Sequence, residues 1–242
     1  MLGNPVKGGS YLLKGLNMLS EKKLRVFVIV PLIINILLFS IALFVIFNQL
    51  PSWINQWLSF LPDFLSFLEI IIYPLFAITA ALVVYYSFSL VANIIAAPFN
   101  GILSERVEQM VAGREVAEES LKELLAIIPR AIGRELAKLA YYLPRLLLLL
   151  VLSFIPGINL FAPIFWFLFG AWMMSIQYCD YPMDNNKVSF KDMLRLLKKQ
   201  RLTSLGFGGL VQLGMMIPIV NFFLMPVAVI GATLYWIEEH RE

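Results

Sequence analysis

Gly15-Leu16-Asn17, followed by Lys22, Lys23 and Arg25, sets a flexible glycine, an amide and three cations ahead of a long apolar run. Backbone N–H groups at a helix start, beside a guanidinium that donates in a fixed fork, suit a tetrahedral oxyanion. The same basic residues are what a cytoplasmic helix end requires for topology alone, and the residues by themselves leave both readings open. A second set consists of amides within apolar segments: Asn35, Asn93, Asn159 and Asn221, with Gln177 and Gln212 nearby. Amides in lipid either bond a neighbouring helix or line a water path. A path lined by N–H₂ groups suits an anion, because they donate hydrogen bonds without trapping it as a ring of arginines would. Arg145, directly before an apolar decamer, either snorkels to the headgroups or faces a polar interior. Asp180 and Asp184, with Pro182 and Asn185 among them, read as a turn and a helix cap.

Other chemistry is poorly supplied. The chain has one histidine, His240, and one cysteine, Cys179, which excludes disulfide scaffolds, Cys/His zinc sites and any triad needing a core histidine. No HExxH, Gly-rich phosphate loop or Cys/His cluster occurs, so neither metal hydrolysis nor nucleotide use has a motif. The expectation is a protein that is not an enzyme and has no metal, no cofactor and no nucleic-acid partner.

The elements that position these residues must be membrane elements. Of 242 residues, 60% are hydrophobic and 14% charged, with a mean hydropathy of +0.80; soluble domains run about 25% charged. The partner is therefore the lipid bilayer, and 1–242 reads as a single all-α membrane domain. A basic N-terminal segment, 1–25, precedes a helix at 26–50, about 37 Å long and enough for a hydrocarbon core of about 30 Å. It shows no small-residue cleavage pattern and reads as a permanent span rather than a signal peptide. A longer second span covers 70–99. Residues 100–140 are amphipathic helix, with Leu121, Leu124, Leu125, Ile128, Ile132, Leu136 and Leu139 on one stripe. Arg130, Arg134, Glu135 and Lys138 fall off it and read as a solvated face. Pro129 reads as restarting a helix at its first turn.

Two helical hairpins follow, at 146–179 and 205–237, joined by a basic polar connection, 180–204. Their breaks resemble each other: Ile155-Pro156-Gly157-Ile158-Asn159 and Ile217-Pro218-Ile219-Val220-Asn221. Matched breaks mark either the interrupted helices of transporter repeats or two tight turns at a membrane surface. The first arm of each is short, which predicts re-entrant hairpins that enter and leave on one side. Lys and Arg are rich in the N-terminal block and in 180–204, and absent from 51–69. This places the N-terminus in the cytoplasm and 51–69 outside.

Several ordered blocks resemble one family. They are Phe27-Val28-Ile29-Val30-Pro31-Leu32 with Asn35, Ala96-Ala97-Pro98-Phe99-Asn100-Gly101, and Tyr142-Leu143-Pro144-Arg145. Ser175-Ile176-Gln177-Tyr178-Cys179-Asp180-Tyr181-Pro182-Met183-Asp184-Asn185 is the most specific, and Ile217-Pro218 and Met225-Pro226-Val227-Ala228-Val229 with Gly231-Ala232-Thr233 complete the set. The chain thereby resembles the CysZ family of bacterial sulfate permeases. That resemblance implies a multi-pass protein of the inner membrane that takes up sulfate without ATP for cysteine synthesis; a sulfate-sensing or accessory protein without transport of its own is the alternative. It implies sulfate binding at Gly15, Leu16, Asn17 and Arg25, with Lys22 and Lys23. Asn35, Asn93, Asn159, Asn221 and Arg145 are the candidates for the pore lining. The half-membrane hairpins call for neighbours, so a homo-oligomer, a dimer or higher, is expected.

Overall fold

The computed structural model describes residues 2–58, 69–113 and 121–240; at some helical positions, including Lys22, Lys23, Asn35, Asn93 and Asn221, it describes the backbone alone. Among the described residues eight α-helices follow in order: α1 (Pro5–Met18), α2 (Lys22–Leu58), α3 (Glu69–Val111), α4 (Leu121–Ser153), α5 (Ala162–Asn185), α6 (Phe190–Lys199), α7 (Arg201–Met215) and α8 (Pro218–Glu239). A short 3₁₀ turn, Asn159–Phe161, precedes α5. Among the described residues there is no strand. Three stretches of the described residues are long and apolar enough to cross a membrane: Ile36–Gln56, Pro129–Ser153 and Asn159–Asn185. The chain forms two compact units, Val30–Ala96 and the remainder. The first carries most of α2 and α3.

In the larger unit α4 and α5 form an antiparallel hairpin. Trp166 Nε1 donates to Ser153 Oγ at 3.0 Å, Tyr142 stacks on Phe169 at 5.4 Å, and Trp172 Nε1 donates to Tyr141 Oη at 3.2 Å. These pairings step down α4 as they step up α5. The arms differ from the expected ones. The amphipathic stripe after 121 and the apolar decamer after 146 are one continuous helix, with Pro129 and Pro144 inside it. Pro129 starts no helix; each proline costs one ladder hydrogen bond, and the turns on either side hold the helix together. The span from Pro129 to Ser153 is therefore membrane-length, at about 1.5 Å per residue. The second hairpin, α7–α8, keeps a short first arm and turns at Met216–Ile217, with Phe207 facing Tyr235 at 6.3 Å and the Ser204 and Tyr235 hydroxyls 3.0 Å apart.

The N-terminal segment is itself a helix. Asn4 caps it by accepting from Val6 N at 2.9 Å, and Pro5 occupies its first turn, where a missing N–H costs nothing. α1 packs on α7 and α8 through positions without side chains. A Cβ on Gly8 would overlap the Thr203 carbonyl, one on Gly206 the Pro5 carbonyl, one on Gly15 the Val227 carbonyl, and one on Gly231 would lie 2.7 Å from the Tyr11 carbonyl. α5 and α7 use the same device, since Gly208 meets the Ala171 carbonyl while Ser175 Oγ donates to the Ser204 carbonyl. Close approach of this kind drives helix association where lipid removes the hydrophobic gain. Around it lies the core, with Tyr11, Leu24, Ile176, Met183, Phe207, Ile230 and Tyr235 fully buried.

The ends of α1 and α8 are clasped by charge. Lys7 pairs with Glu239, Lys14 Nζ lies 2.7 Å from Glu238 Oε1, and Tyr11 Oη donates to Glu239 Oε1 at 2.7 Å. Burial alone would raise the Glu239 carboxyl, but hydrogen bonds from Lys7, Tyr11 and Gln200 outweigh it and hold the group below its usual value. His240, packed against Tyr235 and Trp236, is pushed below its usual value by burial.

Two outcomes follow for the purified protein in detergent. Gly15→Ala and Gly231→Ala should each destabilise by about 1–3 kcal/mol through overpacking, lowering the melting temperature by several degrees. Gly133→Ala, at a helical position with open space around it, should be neutral or raise stability by about 0.5–1 kcal/mol. On acidification the unfolded chain protonates His240 first and Glu239 later, each above its folded-state value. Stability should therefore fall below about pH 6.5 and again below about pH 4.5. His240→Gln should remove the upper step from the melting curve and leave the lower one.

Candidate functional site

The sequence-derived anion stretch sits at the junction of α1 and α2. Gly15, Leu16 and Asn17 lie in the last turns of α1, and Leu19–Glu21 form the turn into α2. The Leu19 N–H returns to the Gly15 and Leu16 carbonyls, and the Leu24 N–H bonds the Glu21 carbonyl. Gly15 is not a flexible residue with an exposed amide. It is buried at the α1–α8 crossing, and its lack of a side chain serves packing. Leu16 is exposed beside an apolar cavity of about 520 Å³ lined also by Leu13, Leu213, Ile217 and Phe223. Asn17 is exposed, with no side-chain partner among the described residues. The Arg25 guanidinium, in the first turn of α2, closes over the turn by donating to the Ser20 carbonyl at 3.1 Å. The helix start is thus at Lys22, where the first backbone N–H groups of α2 have no carbonyl within their own helix.

The other candidates are dispersed. Asn35 lies in α2 and Asn93 in α3, within one compact unit, and Asn221 lies in the first turn of α8; their side chains fall outside the description. Asn159 is exposed at the 3₁₀ turn, where its carbonyl accepts from the Ala162 N–H. Arg145 is exposed on α4; its guanidinium donates to the Tyr141 carbonyl at 2.7 Å and lies 3.5 Å from the centre of the Tyr141 ring. Gln177 donates to Tyr181 Oη at 3.0 Å within α5 and to Glu135 at 3.4 Å across to α4, which is the helix-bonding role of intramembrane amides; Gln212 lies against Gly170 with its buried Oε1 unbonded among the described residues.

The strongest polar constellation is one that the sequence reading dispersed. Asp180 and Asp184 do not form a turn: they lie within α5, four residues apart on the face toward α4. Asp180 accepts from Arg134 Nη2, and its other oxygen lies 3.4 Å from Lys138 Nζ. Lys138 also meets Glu135 at 2.6 Å. Asp184 contacts Arg130 Nε at 3.0 Å and Arg134 Nε at 3.5 Å. Tyr181 Oη accepts from Asn100 at 3.2 Å and Asn185 donates to the Gly101 carbonyl at 2.7 Å, which ties the end of α3 to the same cluster. Lys138, Glu135, Asp180 and Asn100 are buried. Far from a solvated face, Arg134, Glu135 and Lys138 of α4 are turned into the hairpin, with Arg130 at its outer edge. Charges inside a protein persist only when paired and hydrogen-bonded. Matching spacings, with Arg130, Arg134 and Lys138 four apart and Asp180 and Asp184 four apart, were the available signal. The cluster also places Glu135, Asp180 and Asp184 within stretches long enough to span.

A narrow cavity of about 20 Å³ opens within this cluster, lined by Arg130, Arg134, Glu135, Asp180, Asp184 and Asn185. It is room for about one water molecule. Among the described residues no group of three or more His, Cys, Asp or Glu side chains could hold a metal ion.

Known proteins of the same design make the comparison concrete. A family model described as Sulfate transporter CysZ/Etoposide-induced protein 2.4 matches residues 11–226. A Pseudomonas aeruginosa protein named sulfate transporter CysZ is 49% identical over 238 residues, covering 98% of this chain and 97% of the relative. Proteins of the same name from Pseudomonas fluorescens and Pseudomonas syringae are 46% and 48% identical over 97% and 96% of this chain, and 94% and 92% of the relatives. With a family match across most of its length and such relatives along nearly all of it, the chain belongs to the sulfate transporter CysZ family.

Proposed function

We propose that this chain is a sulfate permease of the bacterial inner membrane, which admits sulfate without ATP and feeds its assimilation into cysteine. The observation that carries this is the near full-length identity to proteins named sulfate transporters. Those relatives carry the name of a transporter and not of an enzyme. In this reading α2 and α3 supply two long spans, α4–α5 a hairpin of membrane length, and α7–α8 a shorter one that enters and leaves on the cytoplasmic side. The excess of Lys and Arg in 1–25 and 180–204 supports that orientation.

Sulfate is bound at the α1–α2 junction by the Gly15-Leu16-Asn17 stretch with Arg25, Lys22 and Lys23, Gly15 anchoring that stretch on α8 rather than touching the ion. Three features support this: the exposed Asn17 amide, the exposed guanidinium of Arg25 folded over the turn, and the start of α2 beside them, where the helix dipole favours an anion. The ion then passes near Asn35, Asn93, Asn159, Asn221 and Arg145. A dianion entering against a negative-inside potential loses about 4.6 kcal/mol per 100 mV, so net uptake needs rapid consumption or a coupled ion. The short α7–α8 hairpin, which leaves half of the membrane unfilled, supports assembly as a homo-oligomer in the bilayer.

The test is radiolabelled sulfate uptake into liposomes holding only this protein, without ATP and with chloride and phosphate as competitors. Saturable, sulfate-selective flux is expected, with Arg25→Ala raising the half-saturating sulfate concentration about tenfold through one lost charge-assisted contact. Lys198→Ala, on the exposed face of α6, should leave it unchanged. Sulfate binding without flux would instead indicate the sensing or accessory role.

A further inference from the structure

The α4–α5 charge cluster has a feature that pairing alone does not require. Asp184 is shared by two guanidinium groups, with Oδ2 3.0 Å from Arg130 Nε and Oδ1 3.5 Å from Arg134 Nε. Arg134 spends its other nitrogens on Asp180 and on the Val188 carbonyl at 3.2 Å, while its buried Nε has no hydrogen-bond partner. Two guanidinium groups converging on one carboxylate, one of them with an unspent N–H, form a donor set suited to a tetrahedral oxyanion. Here a carboxylate of lower charge fills that place.

The three cations form a graded ladder. Arg130, Arg134 and Lys138 follow at one-turn intervals along α4, each about 6 Å further in, with side-chain exposures of 44%, 13% and 4%. Of their carboxylate partners, Asp184 is 19% exposed and Asp180 2%. The inner pair is closed, whereas the outer carboxylate lies one residue from the end of α5 and beside the cavity, where its side chain can rotate toward water. At rest the carboxylate spares the arginines the cost of being buried unpaired. A dianion in its place would bring one more negative charge to the two cations.

We propose that Arg130 and Arg134 form a second oxyanion site, distinct from the α1–α2 junction, which binds a tetrahedral dianion by displacing the Asp184 carboxylate. The inference deepens the sulfate-permeation reading and rests on it for the identity of the ion. Asp184 is the gatekeeper of the site and competes with the ligand, so its loss should strengthen binding rather than weaken it. A purely structural ion pair would respond in the opposite way.

The experiment measures radiolabelled sulfate binding to the full-length purified protein in an Arg25→Ala background, which weakens the first site. Adding Asp184→Asn, which keeps the side-chain shape and removes the charge, should tighten the remaining binding about tenfold. Adding Arg130→Gln, at the most exposed of the three cations, should abolish it at the same sulfate concentrations. Melting temperatures confirm that each variant is folded. If folded Asp184→Asn and Arg130→Gln proteins bind sulfate as their parent does, or if neither the parent nor the Asp184→Asn protein binds, the second site is overturned. Sulfate-selective flux by the unmodified protein, alongside such a result, would leave the permease reading standing. Tightened binding in Asp184→Asn without flux in the unmodified protein would support the site and overturn the permease.

Discussion

A charge carried into an apolar helix hairpin must meet its opposite there, and in this protein that requirement sets the register of α4 against α5. Asp180 is sealed between the helices, and it is tolerable only because Arg134 and Lys138 reach it from one face of α4. Shifting α5 by one residue would turn Asp180 and Asp184 away from those cations and leave charges unpaired at a cost of several kcal/mol. The aromatic and hydroxyl contacts further along the hairpin inherit this register, from Tyr142 on Phe169 to Trp166 on Ser153. The end of α3 does so too, through Asn100 and Asn185.

The second constraint is close approach. In lipid, burying a leucine between helices gains little over leaving it in acyl chains, so association depends on contact and hydrogen bonds. The chain answers with glycine at the crossings of α1, α7 and α8 and with Ser175, Ser204 and Gly208 where α5 meets α7. The consequence reaches the anion stretch. Gly15 places the last turn of α1 firmly on α8, and that anchoring positions Asn17 and the turn that Arg25 closes. A residue read as flexible for ligand contact is thereby a rigid support for its neighbours.

The electrostatics suit a pathway for a strongly hydrated dianion. A site of bare arginines in a low-dielectric hairpin would bind such an ion too tightly to release it, and would itself be costly to build. In the α4–α5 cluster, three cations face three carboxylates, so the resting charge is balanced. Conduction requires binding strong enough to admit an ion and weak enough to let it leave, and internal carboxylates are a means of setting that balance.

Composition and hydropathy were enough to specify an all-helical membrane chain, its apolar runs and its lack of metal or nucleotide motifs, because those follow from residue types summed over windows. The ordered blocks around Gln177–Asn185 carried the family for the same local reason. Which charges are solvated was not legible: Arg134, Glu135 and Lys138 have the spacing of an exposed face, and only a partner helix distant in sequence turns that face inward. The continuity of α4 through Pro129 and Pro144 was likewise hidden, since a proline reads as a boundary until neighbouring helices support the broken ladder. The fate of Gly15 is the clearest case. Its type announces backbone freedom or close approach, and the arrival of α8, more than two hundred residues later in the chain, decides between them.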